Sequence, residues 1–129
     1  MPPKRIITTE KAPQAIGPYS QGVQFGNLIF TAGQLGLDPA TGEIVTGGIE
    51  METRRALENI RQVLESRGSS LQQVLKTTVF LKDMNDFVRM NSAYNEFFMD
   101  QYPARTTVQV AALPRNGTVE IEAVAFLDE

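Results

Sequence analysis

Two stretches with apolar residues at helical spacing, separated by a single strand-like run, set the strongest limit on how this chain folds. From about Glu50 to Arg67, the residues Leu57, Ile60, Val63 and Leu64 recur at helical intervals, and Gly68 suits the position just past a helix end. From about Asn85 to Asp100, a second stripe is made by Phe87, Met90, Tyr94, Phe97 and Phe98. Between them lies VLKTTVFLKD, residues 74–83, whose loose alternation predicts a strand buried on both faces. VQF and LIFTAG, within residues 23–33, read as a hairpin turning at Gly26-Asn27, where positive φ is tolerated. The last two strands are expected at about 106–112 and 119–127. The order is ββ-α-β-α-ββ, with room for a small extra strand near the N-terminus. It predicts an α+β fold, a sheet with helices packed on one face. No spare element remains for the other face, so self-association is the economical cover for it.

At 129 residues the chain suits one domain, 1–129, around one core. A net charge of −3 disfavours a general nucleic-acid or membrane-surface binder. There is no cysteine and no histidine. Disulfides, thiol nucleophiles and Cys/His zinc sites are therefore excluded, and so is the usual general base near neutral pH. Chemistry is left to carboxylates, Arg, Lys, Tyr, hydroxyls, the backbone and water. Residues 1–10 carry basic side chains but no apolar run after them, and no stretch approaches the ~20 apolar residues of a membrane span. The expected location is the cytoplasm. Neither a phosphate loop nor a dinucleotide fingerprint is present, and NGT at 116–118 reads as a turn.

The segment YPARTTVQVAALPRNGTVEIEAVAF, residues 102–126, holds the most informative polar residues. Glu120 and Glu122 share one face of their strand with Val124 and Phe126. A solvent-exposed strand end explains that pattern; so does a carboxylate at the rim of an apolar pocket, where desolvation raises its pKa and makes it a usable base. Arg105 follows Pro103, which stiffens the approach. It is either an ordinary surface arginine or a fork for a substrate carboxylate. On a helical wheel Asn91 falls beside Phe87, Tyr94 and Phe98, and a buried amide must find partners, in a loop or in a pocket. Tyr19, in IGPYSQG, is a core aromatic or a pocket wall on a rigid loop. Gly33, in TAGQ, ends a strand where a backbone can come close to a ligand.

Taken together, APQAIGPYSQG, FTAGQ, LKTTVFLKDMNDFVRMNSAY, YPART, VAALP and VEIEAVA resemble the RidA, or YjgF-type, family of reactive-intermediate deaminases. The likeness runs over essentially the whole chain and lies in the order and spacing of the pieces. It implies a chorismate-mutase-like α+β fold with a mixed sheet, assembled as a homotrimer with a barrel-like core and pockets between subunits. It also implies that the last strand inserts beside the first core strand instead of pairing with the one before it. A simple hairpin would separate Arg105 from Glu120, so a pocket holding both requires that inserted strand or a subunit interface.

The reaction implied is hydrolysis of enamines and imines derived from amino acids. 2-Aminoacrylate and 2-aminocrotonate tautomerise to 2-iminopropanoate and 2-iminobutanoate, and water converts these to 2-keto acids and ammonia. In that chemistry Arg105 binds the substrate carboxylate and Glu120 activates water and returns a proton to nitrogen. The carbonyl of Thr107 and the amide of Gly33 meet the imine nitrogen and the carboxylate, Tyr19 walls the pocket, and Asn91 supports it. No cofactor or metal is required. Ala32 stands where many relatives have Ser, and Thr107 where many have Cys, so contacts through those side chains are altered. Two other functions compete: a small-carboxylate-binding regulatory protein without turnover, and an RNA-directed activity, which the acidic balance and the lack of basic-aromatic clusters disfavour. A mutase would rest on fold analogy alone.

Overall fold

Seven strands and two α-helices make up the computed structural model, which describes residues 3–128. In chain order the elements are β1 (Arg5–Ile7), β2 (Gly22–Phe25), β3 (Leu28–Thr31), β4 (Gln34–Leu35), α1 (Gly48–Glu65), β5 (Val74–Leu81), α2 (Phe87–Phe98), β6 (Ala104–Gln109) and β7 (Val119–Phe126). The strands form one sheet in the order β1-β2-β3-β7-β5-β6, with β4 also paired to β7. All pairs are antiparallel except β5 with β6, so the sheet is mixed.

Local chemistry accounts for the boundaries. Gly26 has φ +60 at the two-residue turn between β2 and β3, as expected for Gly-Asn. Gly68 has φ +85, and the amide of Ser69 donates to the carbonyl of Leu64 at 3.0 Å, closing the end of α1. α1 has the expected length but starts and ends two residues earlier, and α2 is shorter than its stripe predicts. The turn 66–68 follows α1, and a single 3₁₀ turn, Met84–Asp86, leads into α2.

The helices cover one face of the sheet. Leu57, Ile60, Val63 and Leu64 of α1 and Met90, Tyr94 and Phe98 of α2 are buried with Val79, Leu81, Val119, Ile121, Ala123 and Ala125 of the central strands. β7, inserted between β3 and β5, is therefore the centre of the fold, although it is last in sequence.

Within one copy β5 is fully buried on one face only. Its register shifts at Leu75; from there Thr77, Val79 and Leu81 face the helices, while Lys76, Thr78 and Phe80 are only half-buried. The bulge and a buried threonine blurred an alternation that is regular in space. β6 also begins earlier than expected, directly after Pro103, so Arg105 lies within the strand and not at its entrance.

The far face carries two apolar rows. Ile6, Val23, Phe30 and Val124 align across β1, β2, β3 and β7, and Val108 and Phe80 align across β6 and β5. Ile6 is 55% and Phe30 45% exposed. Among the described residues no element of the chain covers these rows. A sheet with one face buried and the other both apolar and open is what self-association would complete.

Candidate active site

Glu120 and Arg105 sit on different strands, and their positions follow from register. Glu120 pairs with Phe80 on β5, and its side chain alternates with the buried Val119 and Ile121, so it points to the far face. Arg105 pairs with Thr77, which faces the helices. The two are thus separated by β5 and point to opposite faces of the sheet. Inserting β7 does not bring them together within one chain.

Each lines its own cavity. The Glu120 cavity, about 580 Å³, is walled by Tyr19, Ile16 and Pro13 of the N-terminal loop, by Gly33, and by Leu37 and Pro39 of the next loop. Here the sheet makes a jog. The hydroxyl of Thr31 accepts from the amide of Ala123 at 3.0 Å where β3 leaves β7, and β4 then rejoins it with Leu35 opposite Glu120. Gly33 lies in the jog, directly beneath the carboxyl group: a Cβ there would stand 2.8 Å from the Glu120 Cδ. Burial, and then the neighbouring charge of Glu122, raise the pKa of Glu120 above its ordinary value. Tyr19 is about half exposed, and its hydroxyl accepts from the amide of Ile16 at 3.4 Å. It is a pocket wall, not a core aromatic.

The irregular walls are held by buried polar side chains that sequence reasoning missed. Gln21 accepts from the amide of Thr9 at 2.7 Å and donates to the carbonyls of Thr9, Ala12 and Pro13. One amide therefore fixes the loop that ends in Tyr19. From α1, Asn59 donates to the carbonyls of Leu35 and Leu37, and Glu52 accepts from the amide of Thr118 at 2.9 Å. β4 and the entry to β7 are thereby tied to the helix. A single sequence offers no signal for these contacts beyond three polar residues on otherwise buried faces.

The Arg105 cavity, about 650 Å³, lies between α2 and the start of β6 and is lined by Asn91, Tyr94, Asn95, Tyr102 and Pro103. Tyr102 donates to Asn95 Oδ1, pinning the turn before β6 to the helix. Asn91 is half-buried and its Oδ1 has no partner among the described residues. Thr107, two residues beyond Arg105 on the same face of β6, likewise has a buried and unpartnered Oγ1. Its strand is the edge of the sheet, which leaves backbone groups open on the outer side. No group of three or more acidic residues among the described residues could hold a metal ion.

A family model for endoribonuclease L-PSP matches residues 9–127. The chain belongs to this family. Among its relatives, a 2-iminobutanoate/2-iminopropanoate deaminase of Capra hircus is 51% identical over 122 residues, covering 95% of this chain and 89% of the goat protein. A RutC family protein of Pyrococcus abyssi is 53% identical over 123 residues, covering 95% and 97%. Among solved structures, E. coli TdcF with bound serine superposes with a TM-score of 0.91 at 43% identity, covering 96% of this chain and 99% of that one. The mixed sheet with two helices is thus the fold of this family member and of its structural neighbours alike.

Proposed function

We propose that this family member is a hydrolytic deaminase of small 2-imino acids, of the 2-iminobutanoate/2-iminopropanoate type, and that its site forms where two copies meet. Goat, bovine and human relatives named for that activity are 51%, 50% and 48% identical over 95% of the chain. The observation that carries the reading is Glu120. It is a partly desolvated carboxyl group with a raised pKa, held over a glycine in a mostly apolar cavity.

The chemistry follows from the two half-sites. Arg105 of one copy grips the substrate carboxylate through its fork and sets C2 in place. Glu120 of a neighbouring copy takes a proton from water as the water oxygen bonds to C2 and the C=N π pair moves to nitrogen. Glu120 then returns the proton to nitrogen. The hydroxyl proton then passes through Glu120 to the nitrogen as the C–N bond breaks, and a 2-keto acid and ammonia leave. Tyr19 and Gly33 shape the Glu120 side, and Asn91 and the carbonyl of Thr107 the Arg105 side. A homotrimer, with the apolar far faces turned inward, buries the rows that one copy leaves open. The proposed location is the cytoplasm; no helix among the described residues is long and apolar enough to cross a membrane.

The test is the half-life of 2-aminoacrylate, generated continuously by a serine dehydratase, with and without the protein. A shortened half-life with stoichiometric ammonia supports the reading. Binding of small keto acids with an unchanged half-life would leave only a carboxylate-binding role.

A further inference from the structure

Arg105 is held in place without being neutralised. The more deeply an arginine is buried, the more it needs an acidic partner. The ion pairs among the described residues join Arg54 to Glu96, Arg61 to Glu58 and Arg89 to Asp86, and none involves Arg105. Its guanidinium stands instead 4.8 Å from the centroid of the Tyr94 ring and 5.6 Å from that of Phe87. Tyr94 is only 4% exposed, and its ring packs on Phe98 at 4.7 Å. Its hydroxyl is hydrogen-bonded to Oγ1 of Thr77 at 2.7 Å. Thr77, buried in turn, is the strand partner of Arg105. Backbone pairing, hydroxyl contact and ring face therefore close a circuit through Arg105, Thr77 and Tyr94.

We propose that Tyr94 is a positioning residue for substrate binding: its ring, latched by Thr77, holds the Arg105 guanidinium from one face and leaves its in-plane donors open to an anionic substrate. An Asp or Glu at the same place would orient Arg105 equally well but would occupy the fork that a substrate carboxylate needs. An aromatic face attracts the cation without accepting those donors. Burial raises the pKa of the Tyr94 phenol, outweighing the opposite effects of Thr77 and Arg105, so the ring stays neutral and does not compete as an anion. Phe87 gives weaker support from the longer distance of 5.6 Å. The inference rests on the assignment of Arg105 as the carboxylate anchor.

The test compares Tyr94→Leu, Tyr94→Phe, Phe87→Leu and Arg105→Ala by steady-state deamination and by titration with pyruvate, a 2-keto acid product. Tyr94→Leu should raise KM and the pyruvate Kd about tenfold while kcat stays within about twofold. Tyr94→Phe keeps the ring and should stay within about threefold of wild type. Phe87→Leu should raise KM about threefold, and it carries the test if Tyr94→Leu does not fold. A purely structural defect would lower kcat through loss of active protein, with KM unchanged. Wild-type KM in folded Tyr94→Leu, or in Phe87→Leu where that variant must serve, overturns the inference. If Arg105→Ala itself binds pyruvate normally, the anchor assignment fails, and the inference falls with it. If Arg105→Ala loses binding while the aromatic variants bind as wild type, only the role of Tyr94 fails.

Discussion

The two half-sites are built in opposite ways. The Glu120 cavity is made of loops and backbone: a glycine under the carboxyl group, a jog between β3 and β4, and an N-terminal loop stapled by one buried glutamine. Its active group is tuned by removing water. The Arg105 cavity is made of side chains on a helix and an edge strand, and its active group is held by aromatic faces. One half raises the basicity of an anion; the other presents a cation with its donors open. Neither is a site alone, because the two groups face opposite sides of the sheet. The comparison teaches that packing within one copy is enough to raise the pKa of Glu120 and to hold Arg105 against an aromatic ring, but leaves the two groups on opposite faces of the sheet.

The sharpest way to break this contrast is to remove each group. Glu120→Gln should lower kcat about a thousandfold while still binding pyruvate, since it keeps the shape and loses the base. A rate retained at saturation with binding lost would make Glu120 an anchor. Arg105→Ala should lower kcat/KM by about two to three orders of magnitude, with oligomer size unchanged in sedimentation, because a charge-assisted contact is lost. Gly33→Ala sharpens the contrast: the new Cβ displaces the Glu120 carboxyl group, so kcat should fall about tenfold while pyruvate affinity falls less than in Arg105→Ala.

The smallest expected effect concerns pH. The raised pKa of Glu120 means that the folded chain holds a proton more tightly there than the unfolded chain does. That contribution to stability is present below the unfolded carboxylate pKa and is lost as pH rises through the folded value. Glu120→Gln should therefore melt slightly above wild type at pH 7, and the gap should close in acid. Activity runs the other way, falling as acid protonates the base. Glu122→Gln removes the second cause of the shift and should move the acid limb of kcat to lower pH; an unmoved limb would leave burial as the sole cause.

Much of the scaffold was legible in the sequence because it follows from local rules. The stripes of α1 and α2, the Gly26-Asn27 turn and the helix end at Gly68 depend on near neighbours in the chain. The same holds for Glu120 and Glu122, whose shared face needs only the alternation of a strand. What depends on distant pairing was not legible from the residues. β4 is two residues long, and the bulge at Leu75 hides the regular alternation of β5. The central place of β7 came from family resemblance, not from its own residues. Tyr94 read as a core aromatic because nothing local shows that Arg105, eleven positions later, lies over its ring.

The central claim is that Arg105 of one copy works with Glu120 of another, and co-assembly tests it most directly. Arg105→Ala and Glu120→Gln, each inactive alone, are unfolded together in equal amounts and refolded, and deamination is measured. Random mixing across a head-to-tail interface gives about one site in four with both groups intact, so about a quarter of wild-type activity should return. No recovery from verified mixed oligomers, with each variant soluble and wild type regaining activity under the same treatment, would contradict the account.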